Sequence, residues 1–272
     1  MEKQLLPFLS WVAAPIALGI TNINPLSGHP NREFGRSLNQ PVMLPYPIAI
    51  AAPAKPSEKQ FTPTPAYKRT MIQGFTVLIN PAVLKQLQSA RDLQMELDRQ
   101  LAAIARMVPA RPLAALKQVR IWVEWAKRPQ GAAEFHPSAQ WLRQNGYNPE
   151  KAGAVEIANV QNFVQWSRST QPWMILHELA HTYHHRVLGE QNAAIEATYH
   201  QAIQRNLYQS VNYIQGGKQK AYALTDAKEY FAELSEAYFG KNDFYPFTRS
   251  ELKTYDPVGY QLMEKVWGKP RK

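Results

Sequence analysis

His177, Glu178 and His181 stand in the order His177-Glu178-Leu179-Ala180-His181. On an α-helix, residues four apart differ by about 40° around the axis and roughly 6 Å along it. Both imidazoles therefore face one way and can share one ion, with Glu178 beside them. Two histidines at this spacing can ligate one zinc ion, and the neighbouring carboxylate can work on a water bound to it, as in a zinc hydrolase site. The competing reading is an amphipathic helix with surface histidines. The flanking residues supply the helix that the chemistry requires. Pro172 suits a first turn, Trp173, Leu176, Ala180 and Val187 give apolar spacing, and Gly189 is a stop. A helix is expected over 172–188.

A catalytic zinc site needs a third protein ligand and one position left for water. The extended metzincin pattern would place Gly at 184 and His at 187, where this chain has His184 and Val187. Glu196 is an imperfect match to a thermolysin-like spacing. Further on, Lys228-Glu229-Tyr230-Phe231-Ala232-Glu233 lies in an expected helix over 225–239. Glu229 and Glu233 share a face beside the apolar Phe231, Leu234 and Tyr238. Two inward carboxylates are costly unless a metal or hydrogen bonds satisfy them; otherwise they are two solvated surface glutamates. The remaining histidines carry less weight. His29 lies in a linker, His136 and His200 read as structural, and His184 and His185 read as surface residues or supports behind the ligands. Trp166, Trp173, Tyr245 and Phe247 read as core or pocket wall.

The run from Tyr222 to Glu233, at this distance after His177-Glu178-Leu179-Ala180-His181, resembles the catalytic domain of the anthrax toxin lethal factor family. This is a gluzincin group of zinc metallopeptidases, and the resemblance covers roughly residues 150–245. It implies an α+β, zincin-like domain with a small sheet, an active-site helix carrying the histidine motif and a second helix carrying the third ligand. It implies one Zn2+ per chain held by His177, His181 and Glu229. It also implies that Tyr222 assists catalysis and that Glu233 accepts a hydrogen bond behind a ligand imidazole. Asp226 stands where the family has asparagine. The family toxin's other domains have no counterpart here, so its targets and receptors are not implied. The expected reaction is peptide-bond hydrolysis on a peptide or protein substrate, with Glu178 as general base. A non-peptide amide substrate, or a non-catalytic binding protein of the cell envelope with the same fold, are the alternatives.

The elements that would position these residues begin near Tyr67. Strands are expected over 75–79, 119–125 and 154–158, and helices over 81–107, 172–188, 193–210 and 225–239. The strand at Val155-Glu156-Ile157-Ala158-Asn159 is slightly favoured, mainly on what the resemblance implies, as an exposed edge on which an extended peptide could pair, with a paired interior strand as the alternative. The chain of 272 residues, 45% hydrophobic, can build one such domain over 67–272. Nine of the 21 prolines fall between Pro25 and Ala66. They make 25–66 a linker, with a pro-segment across the site as the alternative. The apolar but proline-broken stretch within 1–24 reads as a signal peptide or an N-terminal anchor, so the protein is expected to be exported, secreted or envelope-associated. The absence of cysteine excludes disulfides, thiolate zinc sites and iron–sulfur clusters. The net charge of +10 is scattered apart from a basic tail over 269–272, read as a frayed end. No nucleic-acid partner is expected, and no membrane insertion beyond the N-terminal segment. Oligomeric state is not legible.

Overall fold

The apolar run Phe75–Ile79 forms a strand as expected, but as the second of a hairpin. In the computed structural model, which describes residues 61–271, β1 (Lys68–Ile72) pairs antiparallel with β2 (Phe75–Ile79). The two-residue turn between them has positive φ at both Gln73 and Gly74, the backbone that matches strand twist. The polar β1 carries no apolar alternation and was not anticipated. The expected leader, and most of the expected linker, lie outside the described residues. Packing starts before Tyr67: Asn80 Nδ2 donates to Thr62 Oγ1 at 3.0 Å, and Asn148 Nδ2 to Thr64 Oγ1 at 2.9 Å.

The helix expected over 81–107 is two helices. Asn80 caps the short α1 (Pro81–Leu84), accepting from Ala82 N, and α2 (Leu87–Met107) follows. In one continuous helix Val83 and Leu87 would share a face. Here Val83 is fully buried and Leu87 is 70% exposed, so the break at Lys85 and Gln86 turns the second helix. Its buried stripe is Leu93, Leu97, Leu101 and Ile104.

α3 (Ala110–Leu116) leads to β3 (Ile121–Val123), the core of the strand expected over 119–125. β4 (Ala133–His136), α4 (Ala139–Gln144), β5 (Ala154–Ile157) and α5 (Val160–Ser169) follow. The strand order is β1-β2-β3-β5-β4, parallel at β2–β3 and β3–β5 and antiparallel at both ends. The expected edge strand around Val155 is thus interior, and the edge belongs to β4. All four residues of β5 are buried, because strands covered on both faces and paired on both sides have no exposed row.

Alternate residues serve the two faces. Phe75, Val77, Ile121, Val123, Val155 and Ile157 join the main core with the α2 stripe and Phe163 of α5. Leu78, Trp122 and Ala154 pack with Tyr67 on the other side. There Lys151 bridges Glu124 and Glu156 at 2.6 and 2.5 Å, and His136 Nε2 meets Glu156 at 2.5 Å.

The helix that carries the His177–His181 motif, α6 (Met174–Tyr183), runs into a π turn over His184–Leu188 that ends at Gly189, φ +86°. Next come α7 (Ala193–Gln204), a small hairpin of β6 (Val211–Asn212) and β7 (Lys218–Gln219), and α8 (Ala227–Phe239). The helix expected over 193–210 ends early, because Asn206 and Tyr208 take positive φ. Two helices with no sequence forecast, α9 (Arg249–Tyr255) and α10 (Pro257–Trp267), close the core. Trp267 stacks on Tyr183 and Phe231, 4.4 and 5.7 Å between ring centres, bracing α6 and α8 together. The tail expected to fray is tied by Arg271 N to Met107 O at 3.0 Å. No described helix is long and apolar enough to cross a membrane.

Candidate metal centre

α6 starts at Met174, and Pro172 lies one residue ahead of the capping position. Trp173 offers no side-chain cap, so the opening turn is held from α2. Gln100 Oε1 accepts from Ile175 N at 3.0 Å, and Arg99 donates to the carbonyl of Pro172 at 3.1 Å. Leu176, Leu179 and Ala180 are fully buried. That fixes the rotation of the helix and turns His177 and His181 to the other face. Val187, expected in the apolar stripe, is 51% exposed because the π turn shifts the register.

α8 packs against α6. Asp226 caps it, accepting from Lys228 N and Glu229 N at 2.8 and 2.9 Å, so an aspartate performs the capping that asparagine could also do. Glu229, at the third helical position, meets the histidines. His177 Nε2 is 3.0 Å from Glu229 Oε2, His181 Nε2 is 3.2 Å from the same oxygen, and the two Nε2 atoms are 3.1 Å apart. These three atoms form a nearly equilateral triangle. Zinc bonds of about 2.0–2.1 Å at tetrahedral angles place donor atoms about 3.3 Å apart, so the triangle fits with shifts of a few tenths of an ångström. The donor chemistry also fits: two imidazole nitrogens and a carboxylate oxygen converge on a point where only a cation or a proton is favourable.

Electrostatics give the same picture. Burial opposes protonation of His177, yet hydrogen bonds to Glu229 and Glu236 hold its pKa well above the usual 6.5. Burial likewise opposes ionisation of Glu229, but the charge of His181 and the hydrogen bonds from both imidazoles hold its carboxyl well below the usual carboxylate range. Glu178 is 9% exposed, and burial pushes its pKa up against the opposing charges of His177 and His181.

Tyr222 opens a short 3-10 turn ahead of α8, its ring centre 6.3 Å from that of His177. Burial, then the charge of Glu229, pushes its phenol up, so it stays a proton donor. Phe135 of β4 lies on the other side, 6.5 Å from His181 and 5.4 Å from His185 between ring centres.

The hydrogen bond expected of Glu233 is made by another residue. Glu236 Oε1 is 2.8 Å from His177 Nδ1, whereas Glu233 Oε1 is 3.8 Å away. Glu233 takes Asn242 Nδ2 at 3.2 Å instead. Asp243 completes this buried acidic group; burial and then the charge of Glu236 push its carboxyl up to about 8. Neither Glu236 nor Asp243 was singled out from sequence. The signal for Glu236 was the seven-residue spacing from Glu229, which returns to the same helix face.

The other candidates stand apart. Glu196 and His200 face each other on the exposed side of α7. His185 pairs with Glu190 at 2.7 Å. His184 is neither a surface residue nor a support for a ligand. It is 2% exposed, stacks edgewise on Phe231, and its Nε2 has no partner. The π turn rotates it inward. Glu134, His136 and Glu156 form another compact donor group, but Lys151 and Arg128 neutralise its carboxylates. His136 is held in this buried network by Glu156. Trp166, Trp173 and Tyr245 pack against the core, and Phe247 sits edgewise on Tyr245. A surface cavity of about 550 Å³ lined by Met95, Glu96, Arg99, Ser167, Arg168 and Pro172 shares no residue with the histidine site. Neither a protein-family model nor a curated protein gives a match to this chain.

Proposed function

We propose that the protein is a zinc-dependent peptidase of gluzincin type with a zincin-like catalytic domain, as its resemblance to the lethal factor family implies. The observation that carries the reading is the convergence of His177 Nε2, His181 Nε2 and Glu229 Oε2 within 3.2 Å of one another, beside the buried Glu178. His177, His181 and Glu229 would hold the metal. When bound, zinc supplies Lewis acidity that polarises a carbonyl and lowers the pKa of water towards ~7.

The chain's own groups do the rest. The Glu178 carboxylate takes a proton from the attacking water and returns it to the leaving amine. The Tyr222 phenol, kept protonated by burial, donates to the oxyanion that develops on the substrate carbonyl. β4 is last in the strand order, with no strand on its outer side among the described residues. That open edge, next to α6, supports a substrate in extended form bound through its backbone.

Digestion of a peptide library tests the reading. Wild type should cleave. Glu178→Gln should retain zinc and lose cleavage by at least about a hundredfold, the lower range for general-base loss. Tyr222→Phe should retain zinc and turn over more slowly. A Glu178→Gln variant as active as wild type would remove the general base, and unchanged turnover in Tyr222→Phe would remove the phenol.

A further inference from the structure

The resemblance assigns the support of the metal-binding imidazole to Glu233, four residues after Glu229. The helix geometry favours a different residue. Seven residues along an α-helix return to within about 20° of the starting direction, whereas four miss by about 40° the other way. Glu229 and Glu236 therefore lie nearly in line on α8. His177 lies between them: its Nε2 is 3.0 Å from Glu229 and its Nδ1 is 2.8 Å from Glu236. One helix grips both nitrogen-bearing edges of one ring. Glu233 projects to the side, 3.8 Å from Nδ1 and outside hydrogen-bond reach.

Glu233 has other work. Its Oε2 takes Asn242 Nδ2, and Asn242 in turn donates to the carbonyl of Phe244 and, through its backbone, to that of Phe247. Glu233 thus fastens the segment that follows α8.

We infer that Glu236 is the positioning residue for the metal ligand His177, and that Glu233 instead anchors the segment over 241–247. The inference rests on the zinc reading of the site. A carboxylate that accepts from Nδ1–H fixes the ring's tautomer, aims the Nε2 lone pair at the metal and makes that nitrogen more basic. Glu236 is 4% exposed, so solvent offers its oxygen no ready substitute partner.

The test is zinc affinity of the full chain, measured by competition with a chromophoric chelator, for wild type, Glu236→Ala, Glu236→Gln and Glu233→Gln. Thermal unfolding of each metal-free protein is measured beside it. Loss of a carboxylate that supports a ligand costs 10–100-fold in metal affinity. Glu236→Ala should weaken zinc by at least about tenfold more than Glu233→Gln does. Glu236→Gln, which keeps an accepting oxygen but no charge, should fall between Glu236→Ala and wild type. The metal-free Glu236→Gln protein should melt close to wild type, because losing the charge that faces His177 is offset by removing an acidic neighbour from beside Glu233 and Asp243. A smaller difference between Glu236→Ala and Glu233→Gln, or a larger loss in Glu233→Gln, overturns the inference. So does a fall in metal-free melting temperature of Glu236→Gln that tracks its affinity loss, which would make the role structural. If Glu236→Ala does not fold, the same comparison is decided by Glu236→Gln against Glu233→Gln. Wild type without zinc would overturn the zinc reading itself, a result distinct from zinc-binding wild type with indifferent Glu236 variants.

Discussion

In the proposed zinc site a proton and a metal ion would compete for one nitrogen of His177. The pKa of the metal-free imidazole is held well above 6.5 by Glu229 and Glu236 against the cost of burial. Below that raised pKa, zinc must expel a proton in order to bind; above it, the nitrogen is already free. Zinc affinity should therefore rise with pH across the neutral range, by about tenfold per unit while one proton is displaced. Titration calorimetry in two buffers of different ionisation enthalpy reads that proton directly. A pH-independent affinity with no proton released would contradict the geometry of the triangle. His177, Glu178 and His181 were legible in sequence because their relationship is local, set by four residues of helix. Glu229 was legible only through resemblance, since nothing in the residues themselves says which glutamate of α8 meets an imidazole on α6. Glu236 was legible only as a residue seven positions from Glu229 on the same helix face. Its distinction from Glu233 depends on the angle between the two helices and on where Asn242 lies.

Between elements, the approach of α6 to α8 decides whether the triangle forms. Gly240, directly after α8, lies against the Trp173 ring at the start of α6, and a Cβ there would come 1.8 Å from that ring. The absence of a side chain is what lets the helix ends meet. Gly240→Ala should therefore destabilise the fold by about 1–3 kcal/mol, as overpacking does, and should weaken zinc binding through displacement of His177. Chemical denaturation and the chelator competition measure the two effects. An alanine variant as stable as wild type would mean that Trp173 moves aside freely. The sheet shows the limits of local reading in a similar way. β2 and β5 announced themselves by apolar runs. β4, reading Ala133-Glu134-Phe135-His136, carries two charged or titratable residues and becomes a strand because β5 offers it a ladder. The sheet edge expected at β5 therefore lies one strand further out, at β4.

For the molecule as a whole, His184 links stability to pH. Burial pushes its pKa down to about 4, from an ordinary 6.5. Between these values the unfolded chain binds a proton that the folded chain refuses, so stability rises with pH through this window and is lost as pH falls from 6.5 towards 4. In chelator-treated protein, His184→Gln should flatten that dependence by up to one proton. Equal slopes for wild type and variant would show that His184 is not held neutral. The fold class was legible because helix-period and strand-period stretches both occur after Tyr67. The closing helices α9 and α10 were not, although Trp267 of α10 braces α6 and α8, which carry the His177, His181 and Glu229 triangle.

Metal content of purified protein, wild type beside Glu229→Ala, tests the central claim most directly. One zinc per chain in wild type, lost or bound at least about tenfold more weakly in the variant, is the expected result. A wild type without stoichiometric zinc, or a Glu229→Ala protein that keeps it undiminished, would contradict the account.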